Sequence, residues 1–143
     1  MMQRAFVLML VVVAGASLGA QVSFDRILRS QSEPQNWLTY SGNLQGHRHS
    51  PLTQVTTANV RDLELAWAFQ ALSLEKFEAT PIALDGVLYT VQPPNDVVAI
   101  DGASGRTFWT YTYRASPQAR PCCGRVNRGL AILGDSLFMR ADP

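Results

Sequence analysis

Turn signals recur through the second half of this chain at spacings too short for anything but hairpins. Asp85-Gly86 separates Pro81-Ile82-Ala83-Leu84 from Val87-Leu88-Tyr89-Thr90-Val91. Asp and Gly tolerate positive φ, so the pair marks a tight two-residue hairpin turn. Pro93-Pro94-Asn95-Asp96 precedes a third apolar run, Val97-Val98-Ala99-Ile100, and Gly102-Ala103-Ser104-Gly105 leads into a fourth, Thr107-Phe108-Trp109-Thr110-Tyr111. Gly134-Asp135 sits between two more, over 129–133 and 136–139. The chain is therefore expected to be all-β. Trp67 closes one group of strands and Trp109 the next, 42 residues later, an interval that holds four strands. Repeats of roughly 40–45 residues with four strands each mark the blades of a β-propeller and favour it over a sandwich.

Upstream the pattern is weaker. Leu63-Glu64-Leu65-Ala66-Trp67-Ala68-Phe69 alternates as a strand does. Thr56 or Thr57 is placed to cap one helical turn through Asn59-Val60-Arg61-Asp62. Residues 36–42 read as a short strand ending in a turn, and the polar stretch 21–36, with Pro34, reads as an extended N-terminal arm.

The first 20 residues carry the order of a secretory signal peptide. Arg4 forms a short positive region, 5–16 is almost unbroken apolar sequence, and small residues follow as far as Ala20. The apolar run falls short of the roughly 20 residues that span a bilayer, so cleavage after Ala16 or Ala20 is favoured over an anchor. Export implies a periplasmic location. The net charge of +1, without a basic run, argues against nucleic acid as a partner. Export also permits disulfides. The two cysteines, Cys122 and Cys123, are adjacent, so they do not join distant strands within one pair.

Ala99-Ile100-Asp101-Gly102-Ala103-Ser104-Gly105-Arg106-Thr107-Phe108-Trp109 resembles the tryptophan-docking repeat of quinoprotein propellers, Ala-x-Asp-x-x-Thr-Gly-x-x-x-Trp. Ser104 stands for the usual Thr and keeps the hydroxyl. Asp and Gly build a tight turn, and Trp packs between blades. Non-catalytic scaffold propellers carry the repeat too. Three further stretches resemble the pyrroloquinoline quinone (PQQ)-dependent alcohol dehydrogenases. They are the opening with Trp37 to Tyr40, 48–52, 59–60 and 65–67; Phe77-Glu78-Ala79-Thr80-Pro81; and Cys122-Cys123-Gly124-Arg125-Val126-Asn127-Arg128-Gly129-Leu130-Ala131. The resemblance covers residues 36–139. It implies the N-terminal part of an eight-bladed, PQQ-binding propeller over 37–143, truncated after little more than its first blade.

That resemblance also implies roles. In the family a disulfide between the vicinal cysteines stacks on one face of the planar quinone. Adjacent Cα atoms lie about 3.8 Å apart, below the usual disulfide range, so a Cys122–Cys123 bridge is a small strained ring. Reduced thiols and an intermolecular crosslink are the alternatives. Arg128 matches the arginine that donates to the quinone oxygens, where a planar, permanently charged donor stabilises developing charge. Glu78 matches the glutamate at the cofactor's edge; its alternative is a solvated loop carboxylate beside Glu75 and Lys76. Asn127 is expected to order the turn. Calcium (Ca2+) serves the family as a Lewis acid. Its ligands, and the aspartate that takes the alcohol proton, belong to later blades, so no catalytic residue is assigned in this chain. The implied substrate is a small alcohol, and the implied electron acceptor a cytochrome c or a quinone.

His47 and His49, two residues apart with no acidic or cysteine neighbour, make a poor metal site and read as a polar turn. Trp37, Trp67 and Trp109 read as packing residues. After Met139 the repeat pattern breaks to Arg140-Ala141-Asp142-Pro143, as a partial or frameshifted gene would leave it. The chain alone is therefore expected to contribute cofactor contacts without turnover. Competing readings are a non-enzymatic scaffold propeller and a stand-alone exported domain.

Overall fold

The structure, a computed structural model, describes residues 22–118 and 124–141. Its centre is a four-stranded antiparallel meander of β1 (Ile82–Leu84), β2 (Val87–Gln92), β3 (Asp96–Asp101) and β4 (Thr107–Tyr111), in that spatial order. This is the layout of one propeller blade. The β1–β2 turn has positive φ at both central residues, Asp85 (48°) and Gly86 (84°), the geometry that follows strand twist. Val97, Val98, Ala99 and Ile100 of β3 are all buried, so this strand is covered on both faces, and its unbroken apolar run suits that position. By contrast, β4 is an exposed edge. A second hairpin, β5 (Leu130–Leu133) and β6 (Ser136–Met139), turns at Gly134, where φ is 62°.

The apolar core lies between the blade and this hairpin. Ile82 and Leu84 of β1 meet Ile132 of β5, with Tyr89, Leu130 and Leu137 packed around them. Val22, Ile27 and Leu38 close the same cluster from the N-terminal segment.

That segment differs from the expected extended arm. Ser23 caps a short helix, α1 (Phe24–Leu28), its Oγ accepting from the Arg26 N–H at 3.1 Å, and a 3-10 turn follows over Ser30–Ser32. The cause is tertiary. Ile27 is buried, and the Arg26 guanidinium sits 2.7 Å from Glu33 and 2.8 Å from Asp85 at the β1–β2 turn. Asn36 completes the cluster, its Nδ2 donating to Glu33 and its Oδ1 accepting from the Asp85 N–H. Hydrogen bonds from Arg26, with a smaller contribution from Asn36, hold the Glu33 and Asp85 carboxyls below the usual range. Val22 exchanges backbone hydrogen bonds with Gly134, so one segment grips the turns of both hairpins.

Three other expectations are corrected. Residues 36–42 form a single bridge, Trp37 to Ala83, before the chain turns at Gly42. The Trp37 ring lies so close that a Cβ on Gly42 would stand 2.8 Å from it. The 3-10 turn Val60–Asp62 has no side-chain cap; the N–H and hydroxyl of Thr56 donate instead to Asn59 Oδ1. Leu63 to Phe69 forms no ladder, because alternation makes a strand only where a partner edge is available. Leu63 and Leu65 are exposed.

Within that segment Trp67 is anchored. Its Nε1 donates to the Gly102 carbonyl at 3.0 Å, and its ring lies against Gly105. The turn beneath is held by Asp101, whose carboxylate accepts from the Ser104 hydroxyl and the Ala103 N–H, and which these bonds keep below its usual pKa. Gly102 N–H in turn donates to the Gly86 carbonyl, tying this turn to the β1–β2 turn. Trp109 packs at a tilt against Tyr89, with ring centroids 6.0 Å apart.

Candidate cofactor site

Antiparallel pairing sorts the loops into two ends. The start of β1, the β2–β3 turn and the end of β4 share one end, and the turns at 85–86 and 101–106 share the other. The lead-ins to β1 and β5 are joined by a parallel bridge between Thr80 and Gly129. Gly129 permits this approach: its φ is 122°, and a Cβ there would stand 3.1 Å from the Thr80 carbonyl oxygen.

The bridge brings together two of the four residues assigned to the cofactor. Glu78 lies two positions before Thr80 and Arg128 one before Gly129. Arg128 Nη2 stands 3.4 Å from Glu78 Oε2. The Arg128 side chain is 67% exposed and that of Glu78 36%. An ion pair this open contributes at most about 1 kcal/mol to stability. The geometry therefore does not explain the pair as a structural staple, unlike the Arg26 cluster at the opposite end. Cys122 and Cys123, and with them the expected disulfide, lie outside the described residues.

Beneath the pair, Asn127 is buried and fully engaged. Its Nδ2 donates to Asn95 Oδ1 at 3.0 Å and to the Arg140 carbonyl at 2.8 Å, and its Oδ1 accepts from the Gly129 N–H at 3.0 Å. It orders the turn that carries Arg128. Asn95, in the β2–β3 turn, is the partner that sequence reasoning missed; no local pattern connects it to a residue 32 positions away. In the same turn region Gln92 accepts from the Leu72 N–H and donates to Asp96.

A site for an acidic, planar cofactor needs a cation with free donors and a rigid base. Arg128 offers the first: its guanidinium meets Glu78, and its side chain is otherwise mostly exposed among the described residues. Asn127 and the Thr80–Gly129 bridge offer the second. The residues present thus fit PQQ, which carries carboxylates and an ortho-quinone.

His47 is held by its neighbours in its own turn. Its Nδ1 lies 3.0 Å from Asn43 Nδ2 and 3.4 Å from Gln31 Nε2, and its N–H donates to Asn43 Oδ1, so it belongs to a turn.

Residues 37–137 match the family model described as PQQ, the β-propeller domain of glucose/ethanol/alcohol dehydrogenase. Among curated relatives, the quinohemoprotein alcohol dehydrogenase ADH-IIG of Pseudomonas putida is 37% identical over 87% of this chain and 18% of its own length. The 1-butanol dehydrogenase (quinone) of Thauera butanivorans is 39% identical over 94% of this chain and 23% of its own. The solved structure of quinohemoprotein alcohol dehydrogenase ADHIIG from P. putida superposes with a TM-score of 0.76 at 36% identity, over 87% of this chain and 18% of that one. A europium-containing methanol dehydrogenase gives 0.73 at 34%, over 80% and 21%. The chain thus spans about a fifth of the length of the relatives it matches.

Proposed function

This chain belongs to the PQQ-dependent glucose/ethanol/alcohol dehydrogenase β-propeller family, and from that premise we propose that it forms one wall of the PQQ site in an exported alcohol dehydrogenase. The observation that carries the reading is the convergence of Glu78 and Arg128 across the Thr80–Gly129 bridge. Arg128 would donate to the quinone oxygens of the cofactor and would stabilise the negative charge that develops there. Glu78 holds the guanidinium from the other side and limits where it swings. Cys122 and Cys123, joined as a vicinal disulfide, cover one face of the ring system. When bound, PQQ supplies the two-electron acceptor and the accompanying metal the Lewis acid.

The metal of this reading is calcium, with the lanthanide of the europium-containing relative as the alternative. Its ligands, and the residue that takes the alcohol proton, would come from later blades of the propeller. Residues 1–20 direct the protein to the periplasm, where electrons pass to a cytochrome c or a quinone. The name of the T. butanivorans relative, 1-butanol dehydrogenase (quinone), supports a small primary alcohol and a quinone.

The test starts by sequencing the gene through the Pro143 codon in all three frames. The product of the complete reading frame is then titrated with PQQ and assayed for alcohol-dependent dye reduction with Ca2+ or La3+. The expected result is PQQ binding by that product and no turnover by residues 21–143 alone. A product that binds no PQQ would instead support a non-enzymatic scaffold propeller.

A further inference from the structure

Arg128 is a long, mostly exposed side chain whose contact with Glu78 is 3.4 Å long. Such a contact does not by itself fix a flexible cation; an exposed pair of this kind loses to side-chain entropy about as much as it gains. The residues on either side of Arg128 are fixed far more firmly. Asn127, 8% exposed, uses both Nδ2 hydrogens and its Oδ1. These bonds reach the β2–β3 turn through Asn95, itself 9% exposed, and the strand exit after β6 through the Arg140 carbonyl. The third bond closes on the Gly129 N–H, across Arg128, and Gly129 is the residue bridged to Thr80. The backbone of Arg128 is thus clamped on both sides by one buried amide.

Resting on the cofactor-site reading above, we propose that Asn127, seated on Asn95, is a positioning residue that aims Arg128 at PQQ. It touches neither cofactor nor substrate. It acts by restricting the backbone from which the guanidinium extends, so that less freedom is lost when the cofactor binds.

The role has a signature that general structural support lacks: its effect on cofactor affinity runs through Arg128. The experiment is a double-mutant cycle on the product of the complete reading frame, read as PQQ affinity from quenching of tryptophan fluorescence. Unfolding midpoints are measured in parallel. N127A is expected to weaken PQQ binding about 10-fold in the Arg128 background, within the range by which neighbouring residues couple. In the R128A background the same substitution is expected to change affinity less than about 2-fold. N95A removes one of the three bonds from a different segment and is expected to act in the same direction, about 3-fold, again only when Arg128 is present. It decides the question if N127A does not fold. Equal losses with and without Arg128, or no loss in either variant, would overturn the assignment. A wild-type protein that binds no PQQ would overturn the cofactor-site reading itself, a different result from an additive cycle.

Discussion

Replacing Gly105 by alanine isolates what the Trp67 anchor contributes. The structure predicts two separable penalties. Gly105 has φ of 73°, where a side chain costs about 1–2 kcal/mol. The new Cβ would also stand 2.6, 2.7 and 2.8 Å from Cδ2, Cε3 and Cγ of Trp67. Carbon contacts are comfortable at about 3.5–4.0 Å, so the indole has to move by roughly 1 Å. It cannot do so and keep the 3.0 Å bond from Nε1 to the Gly102 carbonyl. That bond is worth about 1 kcal/mol, and the lost contact of the ring with the turn about 1 kcal/mol more. G105A should therefore destabilise by about 3–4 kcal/mol. Gly86 is the matched control. Its φ is 84°, but a Cβ there meets nothing within 4 Å, so G86A carries only the backbone penalty, about 1–2 kcal/mol. Urea unfolding of both variants measures the difference. In a W67L background the excess cost of G105A should vanish. Equal destabilisation by G105A and G86A, or an excess that survives W67L, would refute the view that the indole is docked on this turn.

The Arg26 cluster should make stability sensitive to acid. Glu33 and Asp85 titrate below their ordinary values in the folded state, chiefly through hydrogen bonds from Arg26. Their contribution is fully present above the unfolded carboxylate pKa of about 4 and is lost as pH falls through the depressed folded values. R26M should cost about 1–2 kcal/mol at pH 7, a figure reduced for the 45% exposure of Asp85, and should flatten the loss of stability between pH 4 and 2. Unfolding midpoints at pH 7 and pH 3 check this; an unchanged acid slope in R26M would count against it. G129A should cost about 2 kcal/mol, because it adds side-chain strain at φ of 122° and a 3.1 Å contact with the Thr80 carbonyl, and it should weaken PQQ binding by parting Glu78 from Arg128. E78Q should behave differently, changing unfolding stability by less than about 1 kcal/mol while still lowering PQQ affinity. A large stability loss in E78Q would show that the pair is a staple after all.

The hairpins were legible because their signals are local. Asp85-Gly86 and Gly134-Asp135 announce turns whatever the rest of the chain does, and β1 to β6 fall within a residue or two of the runs between them. The features that escaped depend on partners far away in sequence. The helix Phe24–Leu28 is only five residues long and sits in a polar stretch. It is secured by Arg26 reaching Asp85, 59 positions on, and nothing in 21–36 announces that contact. Leu63 to Phe69 carries a strand's alternation, but pairing is a property of two segments, and its neighbour in space is a turn instead. By sequence, Trp67 closes a strand group. Its ring and Nε1 show that it grips the turn ahead of β4, so the 42-residue interval to Trp109 records packing between segments more than the end of a strand. The same limit applies at the candidate site. Family resemblance singled out Glu78 and Arg128, yet their approach depends on Gly129 lying against Thr80. Asn95 looked like any turn asparagine, since asparagine favours turns with or without a buried partner. Only the fold separates an amide that shapes its own loop from one that holds Asn127 beneath the site.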